Sequence, residues 1–271
     1  MSIIGQIVFL LVLAAAVFFF VRSIKRIRSN IFMGKDYDPD TTSSFRWKNM
    51  GMVAMGQSKM VRRPIAGFFH ILIYVGFVLI NIEVLEIILD GILGTHRLFQ
   101  SPLGGLYNFA IGFFEILAAL VVVSCIVFLI RRDVVKLKRL NMPEMNSWSK
   151  LDGRLILYIE LALMLALFTM NAADRPFQVQ SNMPVSSLIA PLFDGFSTAS
   201  LYQIERVAWW VHIVGILIFL NYVPFSKHLH IFLAFPNTFY AKDEPSGSFE
   251  VDKAIGTEVN LMMDPGASTP E

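Results

Sequence analysis

The chain has 271 residues, of which 55% are hydrophobic and only 16% charged, and its formal net charge is +2. A soluble domain carries about a quarter charged residues, so this composition excludes an ordinary water-soluble fold, and the near-balanced charge gives no reason to expect a nucleic-acid partner. A single cysteine, Cys125, excludes an internal disulfide, a CxxC zinc site, an iron–sulfur cluster held by this chain alone and covalent c-type haem.

Five apolar runs are long enough, or nearly so, to cross a bilayer, which takes about 20 residues. They are roughly Ile3–Val21, Ile65–Leu89, Leu106–Ile130, Leu155–Met170 and Val207–Phe225. The expected fold is therefore all-α: an integral membrane five-helix bundle. Strands of a β-barrel would be about half as long and would alternate. The first run has no basic segment ahead of it, and its basic cluster follows, which suits an uncleaved anchor rather than a signal peptide. Cys125 lies inside the third run and reads as a small packing residue.

Charge sets the expected orientation. Ten lysines and arginines lie between Arg22 and Arg63, and seven more between Arg131 and Arg154. The alternate loops, 90–105 and 171–204, hold one each, Arg97 and Arg175. This predicts the amino terminus outside, the carboxyl terminus cytoplasmic, and a location in the cell inner (plasma) membrane with several passes. The basic inner face suits anionic lipid or a docked partner protein. Residues 1–240 form the membrane domain. Residues 241–271, rich in Gly, Ser, Pro, Asp and Glu and without a helical apolar period, read as a polar cytoplasmic tail or linker. Asp36–Ser44 is likewise a polar loop.

Three of the five histidines fall in WWVHIVGILIFLNYVPFSKHLHIFLAFP, residues 209–236. His212 and His230 are 18 residues apart, five whole turns of a continuous helix, so they share a face about 27 Å apart along the axis. His228 falls nearly opposite and reads as a hydrogen-bonding or head-group residue. Pro224 between them predicts a kink. His70, early in the second helix, lies at the same expected depth as His230. Two imidazoles facing each other at one depth are the axial pair that b-type haem requires. His212 needs another partner, and the candidate is His96 in DGILGTHRLF, folding back toward the membrane.

Other polar residues invite roles. Gly67 and Gly215 are placed either to admit a flat macrocycle or to pack helices. Arg63, seven residues before His70, is placed for a haem propionate or for lipid head groups. Glu205 is placed to accept a proton from a quinol, or is simply solvated. Glu83, Glu86, Glu115 and Glu160 fall within the membrane and are expected to be protonated or paired, in a proton route or a quinone pocket. Trp209, Trp210 and Tyr202 resemble an aromatic belt.

FFHI early in helix two, HIVG, and FSKHLH, whose last residue His230 lies 18 residues after His212, resemble the nitrate reductase gamma subunit, a dihaem cytochrome b that oxidises quinol and serves iron–sulfur partners. The resemblance implies pairing of His70 with His230. The family's second helix-two histidine would fall at Ile80, so the chain departs from the pattern there. KHLHIFLAFPNTFY and EVNLMMDPGAS also resemble the membrane cytochrome b of heterodisulfide reductases and fused iron–sulfur oxidoreductases, in which a cysteine-rich cytoplasmic domain follows the membrane part. The expected function is a b-type cytochrome subunit of a respiratory oxidoreductase. It exchanges electrons between a membrane quinone and a cytoplasmic iron–sulfur protein or fused domain. Its haem b, one or two, has iron ligands drawn from His70, His230, His212 and His96. The alternatives are a haem-free anchor for a redox partner, or a small transporter using the buried glutamates.

Overall fold

Apolar runs of this length bury their backbone polar groups in helical hydrogen bonds, because lipid offers no other partner. The computed structural model describes residues 2–36, 41–144, 147–243 and 253–263. Among them are eleven α-helices and no strand. Five helices are long and apolar enough to cross a membrane: α1 (Ile3–Ile31), α3 (Pro64–Leu93), α5 (Gly105–Leu129), α6 (Ser147–Ala173) and α9 (Thr198–Tyr222). Shorter helices fill the connections, α2 (Ser43–Met50), α4 (Gln100–Leu103), α7 (Arg175–Gln180) and α8 (Ser186–Ile189), and two more follow the fifth span, α10 (His230–Phe239) and α11 (Lys253–Met263). The chain is an all-α membrane helical bundle.

The ends follow local chemistry. Ser2 and Ser197 cap α1 and α9 by accepting a backbone N–H three residues on. Pro64 opens α3, where its missing N–H costs nothing, and Gly94, at φ +73°, closes it in the left-handed region. α1, α6 and α9 run well beyond their apolar windows. A helix whose hydrogen bonds are already made continues through flanking polar residues such as Arg22, Lys25, Arg26 and Arg28 until a breaker stops it.

The core lies among α3, α5, α6 and α9, with α6 against α9 and α3 against α5 as the main packing pairs. α1 is peripheral and presents one buried side chain, Phe9, to the bundle. The Phe9 ring packs 5.4 Å from Trp209 and against Gly91, where a Cβ would collide with it. Gly76 admits Val121 in the same way. Trp209 is thus core, not belt, while Tyr202 is exposed.

Two expectations are corrected. The fifth helix does not run continuously to His230. Pro224 cannot donate to the helical ladder, so α9 stops at Tyr222. Val223–Phe225 tightens into a 3₁₀ turn, Ser226 is extended at φ −113° and ψ 168°, and Lys227–Leu229 forms a second 3₁₀ turn before α10. A shared helical face for His212 and His230 therefore does not exist. The tail is not wholly irregular either, since α11 brings Ile255, Val259 and Met262 to one helical face. Part of the predicted loop (37–40) and the tail segments 244–252 and 264–271 lie outside the described residues.

α10 packs on α2. Asn49 Nδ2 donates to the Thr238 carbonyl at 2.6 Å, and the Trp47 and Phe239 rings meet at 5.1 Å. α10, which His230 opens, also meets α1 through the Phe20 and Phe232 rings at 6.2 Å.

Candidate functional site

His70 lies six residues into α3, at the Lys/Arg-rich end, and is half-buried. His230 is the first residue of α10. The helix break at Pro224 and Ser226 turns the chain so that these two residues, remote in sequence, meet. Their ring centroids are 6.4 Å apart and the rings are inclined by 44°. The His230 Nδ1 lies 2.7 Å from the Lys227 carbonyl. An N–H donated there leaves Nε2 with its lone pair, the form in which imidazole binds a metal. The His70 Nδ1 is buried without a hydrogen-bond partner. His228, expected on the opposite face, stands 5.7 Å from His230 and 5.2 Å from Phe219, because its 3₁₀ turn points it inward.

These features fit a bis-imidazole group. A metal–imidazole bond is about 2 Å and the ring centre lies about 1 Å behind its nitrogen, so two axial imidazoles sit with centres about 6 Å apart. Among the described residues, no group of three or more His, Cys, Asp or Glu side chains could hold a metal ion. A metal at the pair would need its other donors from a macrocycle.

His70 also lines a cleft of about 290 Å³ between α3, α5 and α6. Arg131, Arg132, Arg139 and Gly153 share its wall. Arg132 is 9% exposed, and its Nη2 is buried without a hydrogen-bond partner. Its guanidinium lies close against Gly153, where a Cβ would collide with it. Arg63 is exposed and precedes α3 rather than standing on it, so the helical spacing that pointed to it does not apply. Sequence reasoning missed Arg132. The available signal was the Arg131–Arg132 pair closing the third apolar run.

The other half of the bundle holds the second pair of predicted residues. His212, on α9, is 1% exposed; its Nδ1 lies 2.8 Å from the Leu163 carbonyl, and its Nε2 is buried with no partner. His96 is exposed and places Nε2 3.0 Å from Asp174 Oδ2. The structure brings His70 and His230 together as an imidazole pair and does not do so for His96 and His212. Gly215 packs on Leu163 and Gly67 on the Met60 backbone, so both serve close helix contact.

Beside His96 is a buried polar network in which the membrane carboxylates are paired, as expected, though with a hub, Arg97, that the sequence did not foretell. Arg97, 6% exposed and at φ +55°, reaches Glu83 at 3.3 Å and Asn171 Oδ1 at 2.7 Å, and its guanidinium lies 3.9 Å from the Phe177 ring centre. Asp90 accepts the backbone N–H of Arg97 and of Leu98 and so holds the strained turn. Glu86 accepts from Phe99 N–H at 2.8 Å and from the Tyr107 hydroxyl at 2.7 Å. Glu115 accepts from Val185 N–H at 2.8 Å, Ser186 N–H and the Ser186 hydroxyl. These carboxylates tie loops to helices. Glu160, half-buried on α6, lies near Cys125. Glu205 is 5% exposed and pairs with Arg206 rather than standing solvated.

Burial pushes the Asp174 carboxyl up, but the hydrogen bond from His96 and the charge of Arg97 outweigh it and hold Asp174 below its ordinary value of 3.8. A depressed carboxyl stabilises the fold above its unfolded value, and that contribution is lost as pH falls through the folded one. Thermal unfolding of the purified protein should therefore occur at lower temperature as pH drops from about 5 to about 3, and Asp174→Asn should flatten the dependence. An unchanged profile in Asp174→Asn would refute the assignment.

No family model matches the chain, and no solved structure matches it. It is similar to a probable iron-sulfur-binding oxidoreductase, FadF, of Bacillus subtilis: 28% identical over 249 residues, covering 91% of this chain and 34% of the relative. It is also similar to an EtfAB:quinone oxidoreductase of Syntrophomonas wolfei, 26% identical over 211 residues, covering 72% of this chain and 28% of that protein. The chain thus spans about a third of the length of the curated relatives it matches, and it is related to oxidoreductases.

Proposed function

We propose that this chain is the membrane electron-transfer part of a quinone-linked iron–sulfur oxidoreductase, with haem b held between His70 and His230. The observation that carries the reading is the 6.4 Å approach of those two rings from separate helices. A bis-imidazole haem supplies one-electron transfer without releasing a ligand, which suits a relay between a two-electron quinone and an iron–sulfur cluster.

The chain's own residues set the conditions. Lys227 fixes the His230 ring through its carbonyl, and α3 holds His70 at the same level. The site lies at the Lys/Arg-rich end, which in our reading faces the cytoplasm. There the electron meets an iron–sulfur protein or domain, docked on the basic surface next to α2 and α10. The relatives support both ends of the path: one is described as iron–sulfur-binding and the other as a quinone oxidoreductase. The transporter alternative is weakened, because Glu83, Glu86 and Glu115 are engaged as acceptors within the fold.

The test is a reduced-minus-oxidised spectrum of the purified, haem-supplied protein. A b-type α band with close to one haem per chain is expected. Absence of the band at full haem supply would defeat the reading in favour of a haem-free anchor.

A further inference from the structure

The cleft beside His70 poses a separate question. Arg132 is a buried cation whose Nη2 has no partner. A guanidinium in that state is costly unless an anion completes it. The carboxylates within its electrostatic reach, Asp133 and Asp152, are engaged elsewhere. Asp133 takes Arg154 at 2.7 Å, while Asp152 accepts the Tyr222 hydroxyl and the Lys227 N–H. The same cleft carries Arg131 and Arg139, and its remaining wall is mostly apolar: Met60, Phe128, Leu140, Ile156 and Leu157. Buried and rim arginines over an apolar floor suit an amphiphile with an oxyanion head. Gly153 is what lets the guanidinium lie against α6, since any side chain there would displace it.

We propose that this cleft is an oxyanion site for the carboxylates of the haem whose iron lies between His70 and His230, with Arg132 as the principal donor and Arg131 and Arg139 supporting it at the rim. The proposal rests on the haem reading above. His70 joins the two sites, because it faces His230 and lines the cleft. Arg132 offers two parallel N–H donors to one carboxylate, a geometry that lysine cannot reproduce. Arg132 is a binding residue here and does not touch the iron.

The test compares haem b with its dimethyl ester, in which both carboxylates are masked, titrated into the haem-depleted full chain in detergent. The wild-type protein is expected to bind haem b about ten- to a hundred-fold more tightly than the ester, the usual worth of a charge-assisted hydrogen bond out of water. Arg132→Gln should abolish most of that preference while leaving ester binding unchanged. Gly153→Ala keeps the charge but displaces it, and should reduce the preference as well. The helical circular dichroism of each variant establishes that it is folded. Should wild type bind the two forms equally, or Arg132→Gln keep full discrimination, the oxyanion proposal is overturned and the haem reading stands. If neither form binds wild type, it is the haem reading that falls. Loss of retained anionic phospholipid from Arg132→Gln, with discrimination intact, would assign the cleft to a lipid phosphate and overturn the proposal too.

Discussion

His70→Ala and His230→Ala should each abolish the b-type α band, while His228→Ala should retain it. His70 and His230 come from different helices and would each supply one axial bond. Removing even an outer-shell partner of a metal ligand costs about 10- to 100-fold in affinity, so removing the ligand itself costs more. His228 sits within 5.7 Å of His230, close enough to substitute if the pairing were wrong. A haem-to-protein ratio on all three variants separates the cases. Loss of haem in His228→Ala together with retention in His230→Ala would move the ligand two residues back. Retention in His70→Ala would end the proposed pair.

Arg97→Leu is expected to destabilise the fold by about 3–5 kcal/mol, the usual consequence of leaving a buried carboxylate without its cation. Glu83 is 3% exposed and Arg97 stands 3.3 Å from it, while Asp174 lies 3.8 Å from Arg97 Nε. The variant also loses the bond to Asn171 and the contact with Phe177. Thermal unfolding in detergent reads the effect. The double variant Arg97→Leu with Glu83→Leu should recover part of the loss, because the orphaned charge goes with its partner. An Arg97→Leu protein as stable as wild type would mean that Glu83 is protonated and needs no cation. Because His70 stands at the other end of α3, haem content should be unaffected in any Arg97 variant that folds.

Much of the fold was legible because membrane insertion is a local, compositional requirement. A run of about 20 apolar residues marks a span whatever its neighbours do, and all five spans appear as helices. Their true ends were less legible. A helix extends through polar residues until a proline or a left-handed glycine stops it, as α3 runs to Gly94.

The histidines were legible as the polar residues of apolar segments that need explaining. Counting turns along an unbroken helix puts His212 and His230 on one face, and a common depth pairs His230 with His70; the rings of His70 and His230 meet in a fold where that helix is broken. The ring contact between His70 and His230 comes from the turn of the chain at Pro224 and Ser226, not from a helical repeat. The facing estimate did not survive, which is why His228 appears beside His230 rather than opposite it.

By itself, then, the sequence determined an all-α bundle of five spanning helices and the identity of the few polar residues that must be explained inside it. The tertiary structure alone decided which of them face each other. Burial and pairing are properties of packed surfaces from distant segments, and no local period encodes them. Thus Arg97, expected only as a loop charge, is a buried hub for Glu83, Asn171 and Asp174. Arg132, expected only as a positive residue at the inner surface, is a nearly buried cation in the wall of the cleft beside His70.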